Sequence, residues 1–314
     1  LYILIFLTFM ICLSFAIFFK RRIKDNFSIE LASKETFILT NNWFMMFYLI
    51  TVFIGTVYPI FTQVLLNTKI SVGPPFYNTV IAPIIIPFLI LMSLGPKSNW
   101  IKHNFKKMNS FILTIILSCA VNFFIFIFFK SYSLLSNLIV ISSLFLIFKS
   151  LQDFLHSRKF KKHFNISSFI SHLGFGLLIF FIIINHNLSQ ELDFNIKVGE
   201  TKKIENIKIN FKNLKIEQRQ NYSAVVGSFN IFDTKRNFNK IMKPEIRVYD
   251  NPETLTFETA INSNLKQDLY LTMSNLDGSD FYNIKYQMKP LMLWIWIAAF
   301  LTASGGIVRI FQRK

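Results

Sequence analysis

Seven long apolar segments constrain the fold of this chain more than any other feature of its sequence. They lie at roughly 1–19, 43–66, 79–95, 110–129, 134–149, 165–185 and 290–308. A helix of about 20 apolar residues is long enough to cross a hydrocarbon core of about 30 Å. Hydrophobic residues make up 52% of the chain and Phe alone occurs 38 times, which is more than a soluble protein usually carries. We therefore predict a mainly α-helical integral membrane protein with about seven transmembrane helices.

The segment 187–288, between the last two apolar runs, has a different pattern. Polar and apolar side chains alternate at 206–212, 245–249 and 281–286, which is typical of β-strands. Asp277-Gly278 lies between two such runs and indicates a hairpin. We predict about seven short strands in a small all-β domain, a sandwich or barrel, outside the membrane. The chain would thus comprise a six-span membrane region (1–186), the β domain (187–288), and a final helix with a basic cytoplasmic tail (289–314).

The net charge of +17 is distributed in a way that predicts membrane orientation. The predicted β domain holds 14 basic and 13 acidic residues, so the excess positive charge lies in short loops beside the apolar runs. Such loops are usually cytoplasmic. This rule places 20–42, 96–109, 150–164 and the tail 309–314 in the cytoplasm and the β domain on the opposite, periplasmic side. Nucleic acid is not an expected partner, because that would require a basic patch on the soluble part.

The beginning of the sequence and its proline pattern lead to two further expectations. Leu1 already lies in an apolar run without an initiator Met, so we expect the chain to be the C-terminal part of something longer. Pro83 and Pro87 lie four residues apart in the third run. They predict a broken or re-entrant helix, since each removes a backbone hydrogen-bond donor.

His172, inside the sixth apolar run, is the main candidate for a functional residue. An ionisable side chain in a membrane helix is costly unless it is paired, so it marks a functional-site hypothesis. At helical spacing Asn165, Ser168, His172 and Gly176 share one face made of small or polar residues. From the residues alone three interpretations stay open: a hydrogen bond to a neighbouring helix, a proton relay, or an axial ligand of haem iron. Ser168 and Gly176 would leave room for a flat macrocycle.

Two classes of function compete with cofactor binding at this stage. A transporter or permease is suggested by the prolines of the third run and by the intramembrane histidine. A cofactor-free membrane assembly factor would need only surfaces for partners. No carboxylate pair, nucleophile–base pair or phosphate-binding loop is evident in the apolar runs, and we assign no catalytic residue.

Several short motifs occur in an order that resembles one family. They are SKE at 33–35, GTVYP at 55–59, KISVGPP at 69–75, SHLG at 171–174, KPEIRVY at 243–249, KP at 289–290, WIW at 294–296 and GG at 305–306. With this ordered set the chain resembles the C-terminal half of the CcmF family of cytochrome c-type biogenesis proteins. These proteins form the large membrane subunit of a cytochrome c haem lyase. The likeness covers nearly the whole chain.

The resemblance implies a role in haem handling and in covalent attachment of haem to apocytochrome c. It implies an inner-membrane location (the mitochondrial inner membrane if the chain is organelle-encoded), a haem chaperone, and a lyase subunit that presents the apocytochrome. It also implies a haem b whose iron is bound by His172 as an axial ligand, and by helical spacing Ser168 and Gly176 would then face the macrocycle. The second axial ligand would come from the N-terminal half of the same protein, which this sequence does not contain. The chain would then be a fragment, a split-gene product or a degenerate copy.

Overall fold

The computed structural model describes residues 33–68, 70–98, 108–128, 133–159, 165–234, 236, 238–275 and 280–312, together with Met10. In that part of the chain, six helices are long and apolar enough to cross a membrane. They are α1 (Lys34–Leu66), α2 (Pro74–Leu94), α3 (Met108–Phe128), α4 (Leu134–Lys159), α5 (Ile166–Leu188) and α6 (Met292–Phe311). The chain is therefore a multi-pass membrane protein with a mainly helical membrane part. The first predicted span, 1–19, lies outside the described residues except for Met10.

Two of the helices, α1 and α4, extend nine or more residues beyond their predicted apolar runs. The first, α1, begins at Lys34 because the Ser33 hydroxyl accepts a hydrogen bond from the Thr36 amide over 3.1 Å and so caps the helix. The second, α4, continues to Lys159, beyond the predicted end at 149. Hydropathy locates the part of a helix that lies in lipid, whereas capping groups decide where the backbone helix begins.

The prediction of a broken third span is wrong, because α2 is one continuous helix that contains both Pro83 and Pro87. Pro74 and Pro75 occupy its first turn, where no intrahelical donor is needed. Each interior proline leaves one carbonyl without its usual donor. Membrane helices tolerate this when neighbouring groups satisfy the backbone.

The predicted β domain is present and consists of two antiparallel sheets. One has the order β1-β10-β9-β8, and the other β2-β3-β4-β6-β7 with β5 also paired to β4. The strands are β1 (Gln190–Ile196), β2 (Thr201–Ile204), β3 (Ile207–Gln218), β4 (Tyr222–Asp233), β5 (Phe238–Met242), β6 (Glu245–Asp250), β7 (Glu253–Glu258), β8 (Ala260–Ser263), β9 (Gln267–Asn275) and β10 (Tyr282–Pro290). The predicted hairpin is confirmed, since β9 and β10 pair from Asn275↔Tyr282 onward.

Side chains from both sheets form one apolar core. Phe211 of β3 and Phe229 of β4 are fully buried and stack with ring centroids 4.1 Å apart. Tyr286 of β10 is also fully buried, and its hydroxyl has no hydrogen-bond partner among the described residues. Burial of these large side chains stabilises the domain independently of the membrane helices.

The β domain is fixed to the membrane helices at both ends by short, hydrogen-bonded connections. Only Ser189 separates α5 from β1, and only Leu291 separates β10 from α6. Leu291 adopts a left-handed conformation with φ 58°, and its amide donates to the Lys266 carbonyl over 2.9 Å. Trp294 Nε1 donates to the Leu265 carbonyl over 3.0 Å. The β8–β9 loop is therefore anchored to the start of α6.

Candidate functional site

A cleft of about 520 Å³ opens between α1, α2 and α5 at the ends of these helices that face away from the β domain. It is formed by the first turns of α1 and α5 and by the last turns of α2. Its lining residues are Lys34, Phe37, Ile38, Asn41, Phe88, Leu91, Met92, Gly95, Pro96, Asn165, Ser168, Ser171 and His172. On each helix these residues recur three to four positions apart, which is the spacing of one helical face.

His172 is the histidine that lines this cleft. It is the seventh residue of α5, so its Cα lies about 10 Å along the helix from the first turn. Its imidazole is partly buried and makes no hydrogen bond to any of the residues that the structure describes. An imidazole that opens onto a cleft without such a bond has its ring nitrogens available to a ligand.

Next to its cleft-lining face, α5 is fixed by close packing against α6. Gly174 lies so near to α6 that an added Cβ would be 2.6 Å from the Thr302 nitrogen. In the same way a Cβ on Gly305 would be 2.6 Å from the Ser171 nitrogen. The Ser171 hydroxyl donates to the Thr302 carbonyl over 3.5 Å. Small residues on both helices thus allow their backbones to approach, and this contact sets the rotation of α5 and the direction of its His172 face.

Ser168 lies in the cleft beside His172, as the helical spacing predicted. Gly176, by contrast, packs against α4 and is not among the residues that line this cleft. A Cβ on Gly176 would lie 2.9 Å from Ile147 Cγ1 and 3.4 Å from the Ser143 carbonyl oxygen. The face shared by the four residues is therefore divided: its first two turns meet the cleft, and the next turn is covered by a neighbouring helix.

Positive charge lies at the rim of the cleft. Lys34, the first residue of α1, is its charged lining residue, and no carboxylate occurs among the described residues that line it. The N-termini of α1 and α5 also open here, capped by Ser33 and by Asn165, whose side chain accepts from the Ser168 amide over 3.2 Å. Helix N-termini carry partial positive charge, so carboxylates are stabilised beside them.

Phe88 forms an apolar wall of the cleft that the sequence alone did not reveal. Its ring is buried and makes edge-on contacts with Phe44, Tyr48 and Phe175, at centroid distances of 5.5 to 5.7 Å. These contacts connect α1, α2 and α5. One Phe among 38 carries no distinguishing sequence pattern, and only the position of His172 on the neighbouring helix identifies it.

The other described histidines do not meet His172. His186 is exposed near the opposite end of α5, and His156 lines a separate shallow pocket on α4. His103 and His163 lie outside the described residues. Within the described ranges no cluster of three or more His, Cys, Asp or Glu side chains could hold a metal ion.

Comparison with known proteins finds the same relatives by sequence and by structure. The family description "CcmF C-terminal beta-sandwich" matches residues 187–290. The cytochrome c-type biogenesis protein CcmF of Haemophilus influenzae is 26% identical over 330 residues, which cover 100% of this chain and 50% of that protein. The corresponding protein of Escherichia coli K12 is 24% identical and is covered over 49% of its length.

A solved structure of "Cytochrome c Heme Lyase CcmF" superposes with a TM-score of 0.70 and 18% identity, covering 89% of this chain and 46% of that one. At that identity the match establishes the fold. The chain spans about half the length of the relatives that it matches.

Proposed function

We propose that this chain is the C-terminal part of a CcmF-type cytochrome c biogenesis protein and that it takes part in attaching haem to apocytochrome c. The sequence match to these relatives runs through the whole chain, and their names assign them to cytochrome c biogenesis. The chain spans about half the length of those proteins, whose remaining part is the N-terminal half. We propose that this chain acts with such a half as one non-autonomous subunit of the lyase.

The cofactor proposed for the cleft is haem b, with His172 as an axial ligand of its iron. The residues fit such a group. A cleft of about 520 Å³ lies within the usual volume range of small-molecule sites. It has an imidazole with no hydrogen bond to the described residues, the buried Phe88 ring as an apolar wall, and Lys34 at the rim. A bound haem would supply a one-electron carrier that keeps the iron of delivered haem reduced.

Each lining residue then has a role that its chemistry permits. His172 would hold the iron through a neutral imidazole nitrogen. Lys34 and the N-terminal turns of α1 and α5 would stabilise the negative propionate groups. Ser168, with its small side chain, would leave room for the edge of the macrocycle. We propose that the second axial ligand comes from the N-terminal half.

The remaining parts of the proposal concern location and partners. The excess of basic residues in alternate loops supports an inner-membrane protein with its β domain on the periplasmic side. Apocytochrome c, a haem chaperone and an apocytochrome-presenting lyase subunit are the proposed partners. The continuous helix α2 removes one of the two observations that favoured a transporter.

The observation that carries the cofactor proposal is the position of His172 on a cleft with no hydrogen bond to the described residues. Its test is co-purification of the chain with the N-terminal half of a full-length relative, followed by measurement of the Soret absorbance and of extracted haem b. We expect His172→Ala to lower haem content severalfold at unchanged protein yield.

The matched control is His186→Ala, on the same helix but away from the cleft. Equal haem content in the wild type and His172→Ala would overturn the ligand assignment. Complementation of a cytochrome c maturation mutant tests the lyase role separately. A cofactor-free assembly factor would restore holocytochrome c with either variant.

A further inference from the structure

A second cavity, larger than the His172 cleft, lies at the other end of the helices, beneath the β domain. It has a volume of about 1330 Å³ and is bounded by the ends of α3 and α5, the start of α6 and the membrane-facing loops of the β domain. This is the level at which the chain leaves and re-enters the apolar helices, at Leu188 and Leu291. The cavity therefore lies at the membrane boundary and is distinct from the His172 cleft.

The helix side of this cavity is apolar. Ile125 of α3 and Phe180 and Ile184 of α5 form that wall, and Leu188 and Leu291 continue it to the ends of their helices. Phe180 and Ile125 pack against the buried Ile184 and Val140. A hydrocarbon chain lying along this wall would remove apolar surface from water, which is worth about 0.8 kcal/mol for each buried CH₂ group.

The β-domain side of the cavity carries positive charge. Arg236 and Lys266 are its charged lining residues, and no Asp or Glu occurs among the described residues that line it. Arg236 Nη1 forms an ion pair with the buried Asp233 Oδ2 over 3.1 Å and donates to Gln190 Oε1 over 3.5 Å. A guanidinium group has five N–H donors, so these two bonds orient Arg236 and leave donors for an anion.

Lys266 is held in place by its backbone. Its amide donates to Asn264 Oδ1 over 2.9 Å, and its carbonyl accepts from the Leu291 amide over 2.9 Å. Its ammonium group forms no ion pair with any residue in the described part of the chain. A fixed backbone that presents a cation without a carboxylate partner favours an anion beside it.

We propose that this cavity binds an anionic phospholipid from the leaflet on the β-domain side. The phosphate would lie between Arg236 and Lys266, and an acyl chain would cover the wall of Ile125, Phe180 and Ile184. Charge complementarity selects an anionic head group, and continuity with the apolar helix surface selects an occupant with a long hydrocarbon chain. The volume exceeds that of ordinary small-molecule pockets, which reach about 1,000 Å³.

The test is lipid retention by the full chain, purified in detergent and supplied with phosphatidylglycerol or with the zwitterionic phosphatidylcholine. Native mass spectrometry counts the lipid molecules that stay bound. We expect phosphatidylglycerol to be retained in preference, and Lys266→Gln to weaken its binding about fivefold, the effect of one cation near a lipid surface. Lys266→Gln removes no contact within the described fold, so it should leave folding intact.

Lys215→Gln, which alters an exposed lysine of β3 outside the cavity, is the matched control and should retain phosphatidylglycerol like the wild type. Equal retention of the two lipids, or equal phosphatidylglycerol retention by Lys266→Gln and wild type, would overturn the proposal. Added haem provides a third arm. If Lys266→Gln weakens haem binding and leaves lipid retention unchanged, the occupant is haem and the lipid assignment fails.

Discussion

Asn185 and Pro290 lie 105 positions apart in the chain, yet Asn185 Nδ2 donates to the Pro290 carbonyl over 2.5 Å. This bond joins the last turns of α5 to the end of β10. It therefore connects the two points at which the β domain meets the membrane helices. The Asn185 carboxamide thus supplies the donor for the Pro290 carbonyl, which would otherwise have to bond to water.

Replacing Asn185 with Ala should loosen this connection. The net loss of one hydrogen bond is about 1 kcal/mol, and we expect faster amide hydrogen exchange at Leu291 and Trp294, next to the broken bond. Asn187→Ala provides the control, because the Asn187 side chain bonds within its own helix, to the Ile183 carbonyl over 2.7 Å. Similar exchange at Leu291 in both variants would show that the Asn185 bond does not restrain the junction.

The two adjacent glycines of α6 give a matched pair for the packing of α5 on α6. A Cβ on Gly305 would meet the backbone of Ser171, whereas a Cβ on Gly306 would meet no atom within 4 Å. Both Gly→Ala changes gain the same helix propensity. Gly305→Ala should nevertheless be less stable than Gly306→Ala by about 1–3 kcal/mol, the usual cost of overpacking.

Thermal unfolding followed by tryptophan fluorescence measures the difference between these two glycine variants. Gly305→Ala should also lower haem content, since Ser171 precedes the proposed ligand. Equal melting temperatures would show that α5 and α6 can move apart to accept the added methyl group with little loss of stability. Their close contact would then not set the rotation of α5.

Ser168 lines the cleft, whereas Gly176 packs against α4. Substitutions at these two positions should therefore have different effects on haem content. Ser168→Leu adds volume inside the cleft and should reduce haem content severalfold. Gly176→Ala adds a methyl group against the flexible Ile147 side chain, outside the cleft, and should leave haem content near the wild-type level. Extracted haem per protein measures both. Loss of haem in Gly176→Ala with retention in Ser168→Leu would reverse our assignment of the haem-facing turn.

Tyr286 should make the β domain sensitive to alkaline pH. Burial raises the pKa of this phenol from 10.0 to about 12, with a further contribution from the nearby Asp233 carboxylate. Because the folded state holds the proton more tightly, the contribution of Tyr286 to stability is full below pH 10 and is lost as the pH rises towards 12. A two-unit shift corresponds to about 3 kcal/mol.

Tyr286→Phe should abolish that part of the alkaline loss, which comparison of urea unfolding at pH 8 and pH 11 measures. At pH 8 the variant should be as stable as the wild type or more so, because the hydroxyl has no partner among the described residues. A destabilisation of Tyr286→Phe at pH 8 would indicate that the hydroxyl makes a stabilising contact.

Sequence reasoning located the helices and the β domain because hydrophobicity and strand alternation are local properties. It misjudged α2, where Pro83 and Pro87 predicted a break that the helix does not show. The low helix propensity of proline describes an isolated helix, and packing in a membrane overrides that propensity. About seven strands were predicted and ten lie in the described part of the chain, since four-residue strands such as β2 and β8 are too short to show alternation.

The candidate site was predictable only along a single helix. His172 and Ser168 share a face of α5, and both line the cleft. Gly176 shares that face by spacing, but the approach of α4 covers it, and spacing within one helix carries no information about neighbouring helices. For the same reason Phe88 and Asn41, which reach the cleft from other helices, became visible only in three dimensions.

The single-residue connections at Ser189 and Leu291 have a kinetic consequence. A domain on flexible linkers of many residues samples a large volume, and its effective concentration at any one point is low. The β domain here has almost no linker to extend. A polypeptide bound to it is therefore held at a nearly fixed height and orientation above the bilayer. Its later encounters with groups at the membrane surface become intramolecular, and their rates should no longer depend on its concentration in solution.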